Sequence, residues 1–195
     1  MPKLIIITGT PGVGKSTLSR ALAQRLGVPF IDLGEFVKTE RLHVGFDRSL
    51  GSLIIDEKRV RGRLADILVS SGKIVVASHT VGRIVPRGAD SFAIVLRLDP
   101  VLLYRRLLRK GWTRRKIWEN VESELLDVCY FDAVQSLGAE RVFELDTGSL
   151  SKVRVLQKAL KILGGKRGAV HRVNWLNRYD PIVLERKLTW KNISS

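Results

Sequence analysis

Residues 3–17 read KLIIITGTPGVGKST, and this stretch decides the fold. The aliphatic run that ends at Thr8 is typical of a strand buried on both faces of a parallel sheet. Residues 9–16 then match the pattern G-x-x-x-x-G-K-[ST] at every position. Leucines at helical spacing follow as far as Leu26, and Gly27 ends that run. A strand, a glycine-rich loop and a helix in this order predict a phosphate-binding loop.

Each residue type in this loop has a chemical reason. Gly12 and Gly14 let backbone N–H groups converge on phosphate oxygens without side-chain collisions. The helix that opens there adds the positive end of its dipole. Lys15 is predicted to bind the β- and γ-phosphates, Ser16 to ligate Mg²⁺, and Thr17 to contact the neighbouring phosphate. We therefore expect ATP or GTP, together with Mg²⁺, at this loop.

The rest of the chain alternates strand-like and helix-like segments, which predicts a five-stranded parallel sheet flanked by helices. The further predicted strands are 28–31, 73–78, 92–96 and 142–145. The further predicted helices are 34–41, 56–71, 100–110, 117–137 and 150–163. Residues 43–52 contain two glycines without a clear period and are predicted to form a mobile loop, and residues 111–116 a basic turn.

The composition narrows the class of protein. A net charge of +15 over 195 residues suits acidic partners such as nucleotides, RNA or an anionic surface, and a highly charged thermophile surface is the other explanation. The single cysteine, Cys129, excludes an internal disulfide and a thiolate zinc cluster, and it suits a reducing compartment. Because no apolar stretch approaches membrane-spanning length, we expect a soluble, cytoplasmic protein without a membrane partner.

The chain lacks the Asn-Lys-x-Asp motif that gives GTPases their specificity, and it is short. Both features favour a kinase of small molecules over a GTPase or a large ATPase, and they favour ATP as the donor. Such a kinase needs a phosphate loop, an arm for the acceptor and a basic lid that closes over ATP.

Several segments beyond the loop carry a family resemblance. In chain order they are residues 7–17, 31–35, 45–47, 55–60, 95–100, 103–104 and 109–121. Their order and spacing resemble the atypical adenylate kinases found in archaea and in the eukaryotic nucleus, a family also linked to assembly of the small ribosomal subunit. The resemblance implies a nucleoside monophosphate kinase fold over residues 1–163, with an acceptor arm at about 32–55 and a lid at about 109–119. It also implies transfer of a phosphoryl group from ATP to AMP, giving two ADP.

Residues 105–116, which lead into the predicted lid and form most of it, contain seven cations and no acid. The cations are Arg105, Arg106, Arg109, Lys110, Arg114, Arg115 and Lys116. A bound polyphosphate would relieve their mutual repulsion, although a solvated basic helix end would look the same in sequence. The resemblance implies that Lys110 stands where an ATP-contacting arginine is usual, so we predict ATP contacts from Arg109 and Lys110. Lysine keeps the charge at that position but loses the bidentate fork.

The predicted acceptor arm offers Lys38 and Arg41 for the acceptor phosphate, unless both are surface charges. Asp32 follows the second strand. Kinases of the shikimate type hold their acceptor and metal with a carboxylate there, so a small-metabolite kinase stays open as an alternative.

One position departs from the resemblance. The family usually has an aspartate, which orients Mg²⁺ through water, two residues before His79, and this chain has Ala77. His79 remains a candidate catalytic residue at the carboxyl edge of the sheet, with a structural histidine as the other interpretation. In one hypothesis, Asp32 or another acid supplies the metal contact instead. In the other, turnover is weak and the nucleotide acts as a conformational switch.

The basic extension, residues 164–195, lies beyond the resemblance. Its cations alternate with Trp175, Tyr179 and Trp190, a pattern that suits stacking on unpaired RNA bases. The other interpretation is that the tryptophans pack onto the domain. The RNA interpretation supports a second function, an ATP-dependent assembly factor whose partner is rRNA or a protein of the small ribosomal subunit.

Overall fold

In the computed structural model, residues 2–47, 52–165 and 172–190 are described. The central sheet has five parallel strands in the order β2-β5-β1-β6-β7. They are β1 (Leu4–Thr8), β2 (Phe30–Asp32), β5 (Ile74–Ala77), β6 (Ser91–Arg97) and β7 (Val142–Asp146). The predicted five-stranded parallel sheet with flanking helices is confirmed.

Helices cover both faces of this sheet. They are α1 (Lys15–Leu26), α2 (Leu33–Thr39), α3 (Glu57–Ser71), α4 (Pro100–Leu108), α5 (Arg114–Leu125), α6 (Val128–Leu137), α7 (Lys152–Leu163) and α8 (Pro181–Trp190). Alternate residues of β1 enter the two cores: Ile5 and Ile7 pack with α1, α4, α5 and α7, and Leu4 and Ile6 pack with α2, α3 and α6. The uninterrupted aliphatic run therefore reflects a strand with two buried faces.

The predicted mobile loop at residues 43–52 was wrong. Residues His43–Asp47 form β3, which pairs antiparallel with β4 (Ser52–Ile55). Glycine at position 45 and a register shift between His43 and Gly45 interrupt the alternation by which a strand is recognised. Residues 48–51 lie outside the described ranges.

The predicted single helix over residues 117–137 was also wrong at two points. Thr113 caps a helix that begins at Arg114, so the basic turn is shorter than expected. The helix then breaks between α5 and α6, where Asp127 takes a left-handed conformation with φ of 56°. That conformation is uncommon for a residue with a side chain. The carboxylate of Asp127 pairs with the buried Arg97, and this distant contact holds the break.

The described part of the C-terminal extension packs onto the domain. Trp175 is only 3% exposed and joins the core on the α1 side of the sheet, and Leu184 of α8 joins it there. Of the two interpretations of the extension, packing onto the domain is confirmed for Trp175, because its ring is enclosed. The Oη of Tyr179 donates a hydrogen bond to Asp99 Oδ2 at 2.6 Å. The side chain of Trp190 lies outside what is described.

A buried ionic cluster joins these elements. Arg97, at the end of β6, pairs with Glu124 of α5, with Asp127 at the helix break and with Glu144 of β7. Burial opposes the charge of Arg97, but the carboxylates, Glu124 foremost, outweigh this effect and raise the pKa of Arg97 above its usual value. Burial in turn raises the pKa of Glu144.

We expect Arg97→Met to lower the free energy of unfolding by about 3–5 kcal/mol, because it leaves buried carboxylates without their cation. Arg115→Met is the matched control, since Arg115 forms an exposed pair with Glu119 one helical turn away. That change is expected to cost only about 0.3–0.5 kcal/mol. Urea denaturation monitored by circular dichroism measures both, and equal losses in the two variants would contradict the assignment.

Candidate active site

The phosphate-binding loop spans residues 9–14, between β1 and α1. Gly9 has φ of 134°, and a Cβ there would collide with the carbonyl oxygen of Leu96. Gly12 has φ of 100°, and a Cβ there would lie 3.0 Å from Leu103 Cδ1 and from Leu107 Cδ2. Glycine is therefore required at both positions, by the backbone conformation and by the close approach of β6 and α4.

Lys15 opens α1 and turns back over the loop. Its Nζ donates hydrogen bonds to the carbonyl oxygens of Gly9 at 2.7 Å and Thr10 at 3.2 Å. Burial lowers the pKa of Lys15 to about 8. The ammonium group thus lies over the loop, where a bound phosphate would accept hydrogen bonds from it. Burial raises the free energy of the charged form, and a bound anion would offset this cost.

The two predicted metal residues meet. Ser16 Oγ donates a hydrogen bond to Asp32 Oδ2 at 2.8 Å, while Asp32 Oδ1 accepts one from the backbone N–H of Gly34 at 3.2 Å and caps α2. Among the described residues no group of three or more His, Cys, Asp or Glu side chains is arranged to hold a metal ion. A hydroxyl and a carboxylate do fit Mg²⁺, which takes few protein oxygens and completes its shell with phosphates and water.

An open cleft of about 400 Å³ lies at the carboxyl ends of β2 and β5. It brings together five of the predicted site residues, Lys15, Ser16, Asp32, Lys38 and His79. Its other wall comes from the β3–β4 hairpin and is apolar. The predicted acceptor ligand Arg41 is not among the lining residues, since it follows α2 with φ of 54° and an exposed side chain. Its role stays a prediction.

His79 follows β5 at the rim of this cleft. Desolvation by burial, followed by the positive charges of Lys15 and Arg83, lowers the pKa of His79 and so favours the neutral imidazole. Ala77 ends β5 and is paired in register with Asp32 on β2. Asp32 therefore lies at the position on the neighbouring strand that matches Ala77, where the family resemblance implied a carboxylate.

A second cleft, of about 220 Å³, lies on the other side of the loop. Gly14, Thr17 and residues of α7 line it, and Arg106 stands at its edge. Arg106 Nη1 donates a hydrogen bond to the carbonyl oxygen of Gly12 at 3.3 Å. The predicted ATP contacts Arg109 and Lys110 are exposed beyond the end of α4, so whether they contact ATP stays a prediction.

Arg106 is a candidate functional residue that the sequence analysis did not single out. It was named there only as one of seven cations in residues 105–116. A signal for it exists in the helical period of α4. Leu103 and Leu107 pack beneath Gly12, and a residue three positions after Leu103 lies on the same face of the helix. The arginine directed at the loop is thereby distinguishable from Arg105, which occupies another face.

Comparison with known proteins gives a consistent relationship. A family model described as an AAA domain matches residues 5–127. A protein of Methanocaldococcus jannaschii named "Putative adenylate kinase" is 33% identical over 184 residues, which cover 94% of this chain and 99% of that protein. The chain belongs to this adenylate kinase family and carries an AAA domain.

Solved kinase structures share the fold of this adenylate kinase family member at low identity. A thymidylate kinase from Candida albicans aligns with a TM-score of 0.57 and 14% identity, covering 85% of this chain and 92% of that one. A shikimate kinase from Bacteroides thetaiotaomicron aligns with a TM-score of 0.54 and 21% identity, covering 84% and 99%. The kinase is a nucleotide-binding enzyme of the phosphate-loop class. Over its described ranges, no helix has the length and apolar character needed to cross a bilayer.

The lowered pKa of Lys15 predicts how ATP binding by this kinase depends on pH. Bound phosphates favour the ammonium form, so above about pH 8 binding must take up a proton. We expect the Kd of Mg·ATP to be nearly constant below about pH 7.5 and to reach about tenfold its low-pH value at pH 9. Isothermal titration calorimetry measures this dependence.

Lys15→Arg is the control for that experiment, because arginine keeps its charge throughout this range. The variant should lose the rise in Kd whatever its absolute affinity. A wild-type Kd that does not change between pH 7 and 9 would contradict the assignment.

Proposed function

We propose that this kinase transfers the γ-phosphoryl group of ATP to AMP, giving two ADP. The observation that carries the proposal is the position of the phosphate loop between two clefts. Gly14 and Thr17 line one, and Lys15 and Ser16 line the other. A triphosphate held by the loop would extend from the first cleft and present its terminal phosphate to the second.

The cleft beside α7 suits the nucleoside of the donor. Its lining is mainly apolar, with Leu18, Leu96 and Val155 among the residues, and Thr147 supplies a polar group. Apolar walls with a few polar groups are typical of pockets for a planar base. Arg106 at its edge adds a cation next to the loop.

The other cleft suits a nucleoside monophosphate as acceptor. Lys38 offers a cation for its phosphate, and the hairpin wall offers Phe46, Leu53 and Ile55 for its base. Phe46 is 58% exposed, so its ring is available to stack against a base. The name shared by the archaeal relatives supports AMP as that acceptor.

The metal contact is assigned to Ser16 and Asp32. The hydroxyl and carboxylate oxygens are already 2.8 Å apart, and Asp32 is in register with Ala77, where the carboxylate of the resemblance is missing. When bound, Mg²⁺ would neutralise charge on the β- and γ-phosphates. Asp32 would then orient it from β2 instead of β5.

The transfer needs no covalent enzyme intermediate, so the residues act by positioning and by charge. Lys15 and the loop amides hold the terminal phosphates, and His79 can orient a water molecule by accepting a hydrogen bond from it. Closure of a lid at residues 109–119 would bring further cations to the site and exclude water from the γ-phosphate.

Lys15→Ala is expected to reduce kcat/KM for ADP formation by at least about 10²–10³-fold, because it removes the cation that binds the transferred group. The control is Lys158→Ala, which removes an exposed lysine from α7. A coupled assay of AMP-dependent ADP production measures both. Comparable rates in wild type and Lys15→Ala would reject the kinase mechanism.

Asp32→Asn tests the metal assignment. The amide keeps the size of the side chain but removes its negative charge, so the Mg²⁺ concentration for half-maximal activity should rise about tenfold or more. The control Asp66→Asn changes an exposed carboxylate on α3 that pairs with Arg63. An unchanged Mg²⁺ dependence in Asp32→Asn would show that another group carries the metal.

The two alternative functions would give different results in the same assays. An ATP-dependent factor in small-subunit rRNA maturation would release phosphate without AMP, and RNA or ribosomal subunits would stimulate it. The net charge of +15 favours such a partner, whereas the enclosed ring of Trp175 removes part of the argument for RNA stacking. A small-metabolite kinase would be exposed by a panel of acceptors in which AMP is inactive.

A further inference from the structure

The side chain of Thr10 points away from the nucleotide side of the loop. Thr10 is 1% exposed, and its Oγ1 donates a hydrogen bond to Glu124 Oε2 at 2.6 Å. Its own carbonyl oxygen accepts from Lys15 Nζ at 3.2 Å. Thr10 is thus anchored from beneath, and a shift of its backbone would move a hydrogen-bond acceptor of Lys15.

Glu124 is the junction of this anchor. It lies in the last turn of α5 and is 2% exposed. Its second oxygen, Oε1, accepts from Arg97 Nε at 2.8 Å, from the backbone N–H of Leu98 at 3.2 Å and from Trp175 Nε1 at 3.0 Å. A buried carboxylate with donors on both oxygens has its orientation determined by all of them together.

The indole of Trp175 brings the C-terminal segment into this network. The chain just before it is fastened as well, since the backbone N–H of Val173 donates to Glu144 Oε2 at 3.1 Å. The carbonyl oxygen of Val173 accepts from Arg97 Nη1 at 3.5 Å. The hydrogen bonds of Val173 therefore fix the backbone next to Trp175, and the indole N–H of Trp175 in turn helps to orient the carboxylate of Glu124.

We propose that Trp175 is a positioning residue for the phosphate loop, acting through Glu124 on Thr10. The loop amides bind phosphate only when they converge, and preorganised donors lose their advantage when their support is loosened. The C-terminal segment, far from the loop in sequence, thereby sets ATP affinity. The proposal rests on nucleotide binding by the loop and is independent of which acceptor the kinase uses.

Trp175→Phe is the sharpest variant, because it keeps an aromatic ring in the core and removes the N–H. Glu124 Oε1 retains Arg97 and Leu98 as donors, so the change leaves no carboxylate oxygen without a partner. The Kd of Mg·ATP should rise about 3- to 10-fold, the effect of losing one hydrogen bond that orients the loop. Calorimetry on the full chain without AMP measures it.

Tyr179→Phe is the matched control. It also removes one hydrogen bond between the C-terminal segment and the domain, but its acceptor is Asp99 Oδ2. The cap of α4 uses the other oxygen, Asp99 Oδ1. We expect this variant to bind Mg·ATP as the wild type does. Equal losses of affinity in Trp175→Phe and Tyr179→Phe would reduce Trp175 to a general stabiliser and overturn the proposal.

A double-mutant cycle separates positioning from simple stability. Thr10→Val removes the hydroxyl that Glu124 holds, so adding Trp175→Phe to it should change the Kd of ATP no further. Thr10→Ser retains a hydroxyl and should restore the sensitivity to Trp175→Phe. Additive effects of Thr10→Val and Trp175→Phe on the Kd would overturn the proposed route through Glu124.

Hydrogen exchange decides the matter if Thr10→Val fails to fold. In Trp175→Phe the amides of Thr10 and of residues 12–14 should exchange faster than in the wild type and in Tyr179→Phe, with β1 and β6 unchanged. Faster exchange throughout the domain, or none in the loop, would contradict the proposal. Because these measurements follow ATP binding alone, a failure to phosphorylate AMP would reject the proposed acceptor and leave this inference intact.

Discussion

The buried guanidinium of Arg97 is the charge on which the rest of the structure depends. It closes β6 and faces carboxylates from three other places, Glu124 on α5, Asp127 at the helix break and Glu144 on β7. A buried carboxylate without a cation is costly, so each of these elements has its position tied to the same group. The helix breaks between α5 and α6 at Asp127, the residue that pairs with Arg97, although the local sequence favours one continuous helix.

The phosphate loop depends on the same strand. The carbonyl oxygen of Leu96 lies where any side chain at Gly9 would be, and Arg97 follows directly in the chain. The carboxylate of Glu124 connects the two features, since it accepts from Arg97 on one oxygen and from Thr10 on the other. The geometry that converges amides on a phosphate is thus supported by an ionic cluster, which suits a reaction that relies on positioning and charge.

The fold by itself does not select the substrate. A thymidylate kinase and a shikimate kinase, at 14% and 21% identity, share this architecture although their names give different acceptors. The case for AMP comes instead from the named archaeal relatives and from a cleft in which Lys38 faces an apolar hairpin wall. Asp32 is paired in register with Ala77, where the resemblance implied a carboxylate, and this pairing is the reason for proposing Asp32 as the metal contact.

The sequence by itself determined β1, the phosphate loop, α1 and the parallel sheet, because each follows from spacing between residues that are neighbours in the chain. Tertiary structure alone decided that Asp127 breaks a helix and that Trp175 enters the core, since both choices depend on charges and donors many positions away. For Arg106 the two sources share the answer: the helical period of α4 indicates its face, and the tertiary structure identifies the carbonyl oxygen of Gly12 as its partner. Periodicity reports which face of an element is apolar, and it carries no information about which distant group will satisfy a buried charge.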